Sequence, residues 1–224
     1  MTAGGGGPPF PGFDVVEDAP SWDAVTQGVV LSRIGPPPPI RFFTPEEERV
    51  ARPLVNLLVD NNDDDEDERR IPVIEAIDAR LVDNEGLGYR YDGMPEYREA
   101  WRQSCRFVDE DATNRFGVHF WELQAADQRA VLEAVRTADD WHGLPASRVW
   151  TMWMGWACTA LYSHPSAWNE IGFPGPAYPR GYAALGLDAK DTWEARERDA
   201  RDPVPWGARL EAARRRHAPG SEDP

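Results

Sequence analysis

The chain has 224 residues, with 39 Asp and Glu against 24 Lys and Arg and a formal net charge of −15. An acidic field of that size excludes nucleic acid and anionic membrane surfaces as partners, because both are bound through clustered Lys and Arg. At this length one domain with a real core is the default, 21 Pro and 19 Gly mark stretches outside it, and no apolar run is long enough to span a bilayer.

Residues 1–41 hold GGGGPPFPGF and the tetraproline Pro36 to Pro39, which read as an extended, flexible arm. The short apolar patches between them allow a second reading, in which the arm wraps over the domain or a partner. Thr44, Pro45 and Glu47 form an N-cap, a first-turn proline and the glutamate of a capping box, so a helix begins there. Its apolar face is Val50, Leu54, Leu57 and Leu58, with Pro53 placed to kink it or delay its start. The acidic run Asp60 to Glu68 invites calcium, but no glycine stands where an EF-hand loop needs one, and a solvated, self-repelling loop is the better reading.

A second amphipathic helix is expected over 71–82, with Ile74, Ala76, Ile77 and Leu81 inward, followed by a Gly- and Tyr-rich turn. A third runs from Pro95 through Phe107, where Tyr97, Trp101, Cys105 and Val108 form one apolar stripe. The fourth spans 126–137, with Asp127 at its positive end. The fifth, 146–162, is apolar almost all round, so it belongs at the centre of the domain or in an interface. After Tyr182 the chain turns charged again, with Arg214 to Arg216 in a short terminal helix as its basic cluster. The 2 cysteines, Cys105 and Cys158, have no CxxC spacing and read as reduced and buried.

Between the fifth helix and the tail lies LYSHPSAWNEIGFPGPAYPRGY, Leu161 to Tyr182. Its prolines and glycines describe a rigid, repeatedly turning segment. Tyr162, Trp168, Phe173, Tyr178 and Tyr182 ride on it, either capping the chain's own core or lying against another surface. His164 is placed to cap the end of the fifth helix, with Pro165 stopping it. Asn169 and Arg180 are expected to pin the loop by hydrogen bonds to backbone.

The block SHPSAWNEIGFPGPAYPRGY, preceded by a Trp-rich helix, resembles the C-terminal signature of the gluconate 2-dehydrogenase subunit 3 family. Residues 43–58 and 120–135 fit the family more loosely, in pattern only. The resemblance implies a non-catalytic small subunit that stabilises and matures a large FAD-binding subunit of the glucose-methanol-choline oxidoreductase type. FAD would then sit in the partner and no cofactor in this chain. The residues it implies for partner binding are Tyr162, His164, Trp168, Asn169, Phe173, Pro174, Tyr178, Arg180 and Tyr182. The N-terminus lacks the twin-arginine signal of many exported relatives, which points to a cytoplasmic complex, or to export on a partner that carries the signal.

Independent catalysis finds no support in the residues. His119, His142, His164 and His217 form no zinc-binding spacing, Ser163 lies in no nucleophile elbow, and GGGG follows no strand. His164 and Glu170 are the best acid–base candidates on position alone. The expected architecture is all-α: an irregular domain of about five or six helices over 42–185, with an extended arm over 1–41 and a charged tail over 186–224. The alternative function is a free-standing helical interaction protein that binds some other partner through the same loop.

Overall fold

The computed structural model describes residues 10–61, 71–86, 88–186 and 189–196. The GGGG segment, the acidic run after Asn61 and the expected helix around Arg214 to Arg216 lie outside the described residues. Within them the protein is all-α apart from one two-residue hairpin.

The described part of the arm holds two short helices. Asp14 accepts from the Val16 N–H to cap a 3-10 helix, Val15–Ser21, and Asp23 accepts from Val25 and Thr26 to cap α1, Ala24–Ser32. Each aspartate supplies the acceptor that the first free amides of a helix need. Pro36 to Pro39 then lead, exposed, to the body.

Helix α2, Pro45–Val59, opens on the expected capping box: Thr44 Oγ1 accepts from Glu47 N–H at 3.2 Å, and Glu47 accepts from Thr44 N–H at 2.9 Å. It runs unbroken through Pro53, so the proline does not delay its start. Val50 and Leu54 are buried, with Ala51 and Val55 beside them, whereas Leu57 and Leu58 are only half-buried. Helix α3, Val73–Val82, turns Ile74, Ile77 and Leu81 inward, together with Asp78. That carboxylate accepts from Arg41 N–H at 2.8 Å, Phe42 N–H at 2.9 Å and Phe43 N–H at 3.0 Å. A buried acid on an apolar helix face is thus satisfied by the backbone that leads into α2.

Helix α4, Tyr97–Phe116, extends well past Phe107 and stops at Gly117, whose φ of +78° is the left-handed C-terminal geometry that glycine adopts without strain. Its stripe of Trp101, Cys105 and Val108 is buried as expected, with Tyr97 half-buried at the end. Helix α5 is Ala125–Thr137. The strands β1, Asp140–Trp141, and β2, Leu144–Pro145, pair antiparallel around His142 and Gly143, both at positive φ, as a two-residue hairpin turn requires.

Helix α6, Ala146–Tyr162, is the central element and packs against α2, α3 and α5. Trp153 and Trp156 on it and Trp101 on α4 are among the largest fully buried side chains. Trp101 and Trp156 meet edge to face at 6.2 Å, and Trp153 Nε1–H donates to Ser104 Oγ at 2.9 Å. The chain's own core buries much of α6, while Trp150, Met154 and Cys158 remain only half-buried.

Cys105 is buried and Cys158 only partly so, and both are free thiols. Burial, reinforced by the negative charge of Glu47, pushes the Cys105 thiol far above its ordinary range, which makes it a poor nucleophile.

Candidate functional site

The signature segment begins with a helix. Helix α7, Pro165–Ile171, starts directly after α6, and His164 is its N-cap, with Nδ1 accepting from Ser166 N–H at 3.2 Å. The expectation that His164 caps the end of the preceding helix is thus corrected: Pro165 opens a helix as its first residue instead of merely ending one. Gly172, at φ +67°, ends it. Pro165 and Gly172 were the signals available in the sequence, since proline favours the first position of a helix and glycine the position after its end.

The loop then doubles back against the described arm. Val15, Ala19, Trp22, Val30 and Trp168 form a second apolar cluster, separate from the main core. Trp168 is 6% exposed, and its Nε1–H donates to Tyr162 O at 2.7 Å. Asn169 Oδ1 accepts from Val15 N–H at 2.8 Å, and Asn169 Nδ2 donates to Asp14. Arg180 donates to Ser21 Oγ at 2.8 Å and to Pro174 O at 2.6 Å, and its guanidinium lies 3.7 Å from the centre of the Trp193 ring. Two glycines permit the close approach. A Cβ at Gly172 would stand 2.5 Å from the Phe10 ring, and one at Gly175 would stand 2.7 Å from Trp22.

This arrangement divides the candidate residues, apart from the α7 cap His164, into two sets. Trp168, Asn169, Pro174 and Arg180 face inward, and all but Pro174 contact the arm directly through their side chains. Asn169 and Arg180 do pin the loop, but chiefly to the arm and only partly to the loop's own backbone. Tyr162, Phe173, Tyr178 and Tyr182 keep exposed rings, Tyr178 the most at 70%. Phe173 sits edge-on to Trp168 at 5.3 Å, and Tyr182 leans on Trp193. The sequence could not assign these orientations, because the arm lies far away along the chain.

Two other histidines, His119 and His142, hold turns. His119 Nδ1 is 2.9 Å from Asp109, which also accepts from Phe120 N–H, and the His119 ring stacks on Trp121 at 4.2 Å. His142 Nε2 is 2.9 Å from Asp111, which also accepts from Trp141 Nε1–H at 2.7 Å. Each carboxylate ties the side of α4 to a following turn. Among the described residues, no cluster of three or more His, Cys, Asp or Glu is placed to hold a metal ion. No helix among them is long and apolar enough to cross a membrane.

His164 borders a cleft of about 450 Å³ with Ile34, Pro36, Pro72 and Glu75. Burial holds its imidazole below the ordinary value of 6.5; a hydrogen bond to the Arg33 backbone opposes this, and the Arg33 charge adds to the lowering. The unfolded chain therefore takes up the proton more readily. The contribution of His164 to stability is complete above pH 6.5 and is lost as pH falls through the lowered folded value. His164→Asn, which keeps a capping side chain, is expected to remove this acid sensitivity. Urea midpoints of both proteins from neutral to acidic pH provide the check, and parallel curves would sink the assignment.

A tryptophan-rich central helix, followed by a Pro/Gly elbow with exposed tyrosines, defines an irregular all-α domain. The chain belongs to the gluconate 2-dehydrogenase subunit 3 family, whose model matches residues 45–175. That span takes in α2 to α7 and ends at Gly175, leaving α1 and the last tyrosines outside it. No curated protein and no solved structure matches the chain.

Proposed function

We propose that this protein is the non-catalytic small subunit of a flavin-dependent sugar or polyol dehydrogenase. Its role is to stabilise and mature a large FAD-binding catalytic subunit of the glucose-methanol-choline oxidoreductase type. The observation that carries the reading is the family match over 45–175, which covers the whole helical body. The site supports it: the end of α6 and the elbow after it hold Tyr162 and Tyr178 out of the core, where an amphipathic ring contributes most to a protein interface.

Affinity capture of the tagged full chain from its native host, with mass spectrometry and an absorption spectrum of the eluate, tests the proposal. The expected eluate contains a large flavoprotein in fixed ratio to this chain. A colourless chain without a large companion would instead favour a free-standing interaction protein.

Tyr162→Ala with Tyr178→Ala is expected to weaken that capture by roughly tenfold. The thermal midpoint of the isolated chain should move by no more than about 2 °C, because both rings are exposed. A large fall in the midpoint would mean that the rings serve the fold.

A further inference from the structure

The inner side of the elbow forms a socket, and the arm fills it as a bound peptide would. Asn169 holds one step of the arm with both ends of its amide: Oδ1 accepts from Val15 N–H at 2.8 Å, while Nδ2 donates to the Asp14 carboxylate at 3.2 Å. Val15 and Trp22 cluster with Trp168. Gly172 and Gly175 leave room for the rings of Phe10 and Trp22, where a Cβ would collide. Arg180 completes the socket by donating to Ser21 Oγ at 2.8 Å. A main-chain hydrogen bond that gives affinity, beside pockets that select side chains, is the general way in which proteins recognise a segment of chain.

The fit of the arm is incomplete. Trp22 is 6% exposed and the Arg180 side chain 11%, yet Trp22 Nε1 and Arg180 Nε have no hydrogen-bond partner among the described residues. A buried donor without an acceptor opposes the state that buries it. The Asp18 carboxylate stands 3.7 Å from Arg180 Nη1, beyond hydrogen-bond reach. Both orphaned donors belong to residues at the junction of arm and elbow. Withdrawal of the arm returns Trp22 to water and frees Arg180 for another acceptor.

The arm is also weakly tied to the body. Its helices have seven and nine residues, too short to persist alone in water, and its apolar cluster does not merge with the main core. Pro36 to Pro39 join it to α2, exposed and without N–H groups that could anchor the strap. The span that matches the family contains Trp168, Asn169, Gly172, Pro174 and Gly175 of the socket but no residue of the arm.

We propose that the socket is a docking site for a segment of the catalytic subunit, and that the arm occupies it until that segment displaces it. This rests on the small-subunit reading above and goes beyond it by assigning a second contact and its chemistry. The contacts of the arm define the displacing segment: an aspartate followed by an aliphatic residue for Asn169 and Trp168, an aromatic ring for the space over Gly175, and a carbonyl or carboxylate acceptor for Arg180 Nε. Because arm and partner compete, the apparent affinity for the partner is reduced to the extent that the socket is closed.

Hydrogen exchange of the full chain, alone and in its captured complex with the flavoprotein, provides the test. Residues 13–22 are expected to lose protection in the complex while residues 165–172 keep theirs. Residues 13–22 as protected in the complex as in the isolated chain would overturn this proposal and leave the small-subunit reading standing. A full chain carrying Val15→Ala and Trp22→Ala, which loosens the arm and leaves the socket intact, is expected to capture the flavoprotein roughly tenfold more tightly than the wild type. Equal or weaker capture would likewise overturn the proposal. No flavoprotein on the wild-type chain would overturn both readings.

Discussion

Asp78→Ala is expected to destabilise the protein by about 3–5 kcal/mol, mainly through amides left without acceptors. The side chain is fully buried and accepts three consecutive backbone N–H groups, from Arg41, Phe42 and Phe43. Two opposing effects decide the result. Removing a buried carboxylate relieves its desolvation, which favours the variant. Against that, the donors at Phe42 and Phe43 are buried with no alternative acceptor, and each unsatisfied amide costs about 1–3 kcal/mol. The second effect dominates, because the same segment carries Phe42 and Phe43 into the core and leads into the Thr44 cap of α2.

Asp78→Asn should lose less. Its remaining carbonyl can accept one or two of the three bonds, while its NH2 group faces a donor. Denaturant unfolding of the two variants gives the comparison. A loss below about 1 kcal/mol for Asp78→Ala would show that water or a shifted backbone satisfies the amides.

Trp168→Ala is expected to release the arm rather than to unfold the protein. Truncating a buried tryptophan costs about 3–5 kcal/mol. The cluster that bears this loss consists of Val15, Ala19, Trp22, Val30 and Trp168, which does not merge with the main core. A loss of that size exceeds what so small a cluster can absorb, so residues 13–33 should open as a local unit. Hydrogen exchange should show those amides losing protection while α4 and α6 keep theirs. Gly175→Ala should reach the same state by another route, since its Cβ would stand 2.7 Å from Trp22 at a φ of +73°. Loss of protection throughout the chain would mean that arm and body form one cooperative unit.

These two substitutions also mark how much could be read from the chain alone. The helices of the body were legible because their signals are local: a capping box at Thr44 and Glu47, stripes repeating every three or four residues, and an apolar run over 146–162. The family was legible as a resemblance, carried by the block that begins at Ser163, and the family model matches that block as far as Gly175. Helix α7 could have been found from Pro165 and Gly172, but its seven residues are too few to show a period.

The sequence alone determined the all-α class and narrowed α6 to the centre of the domain or an interface, since both follow from neighbours along the chain. Only the tertiary structure decided which side of the elbow faces inward. Val15 meets Asn169 across 154 positions and Arg180 meets Ser21 across 159, and Asp78 reaches back some 35 residues to its amides. A tryptophan or an aspartate reads the same in sequence whether it points to solvent or to a distant backbone. Its burial is set by long-range contacts whose loop-closure cost is met only when the whole domain forms.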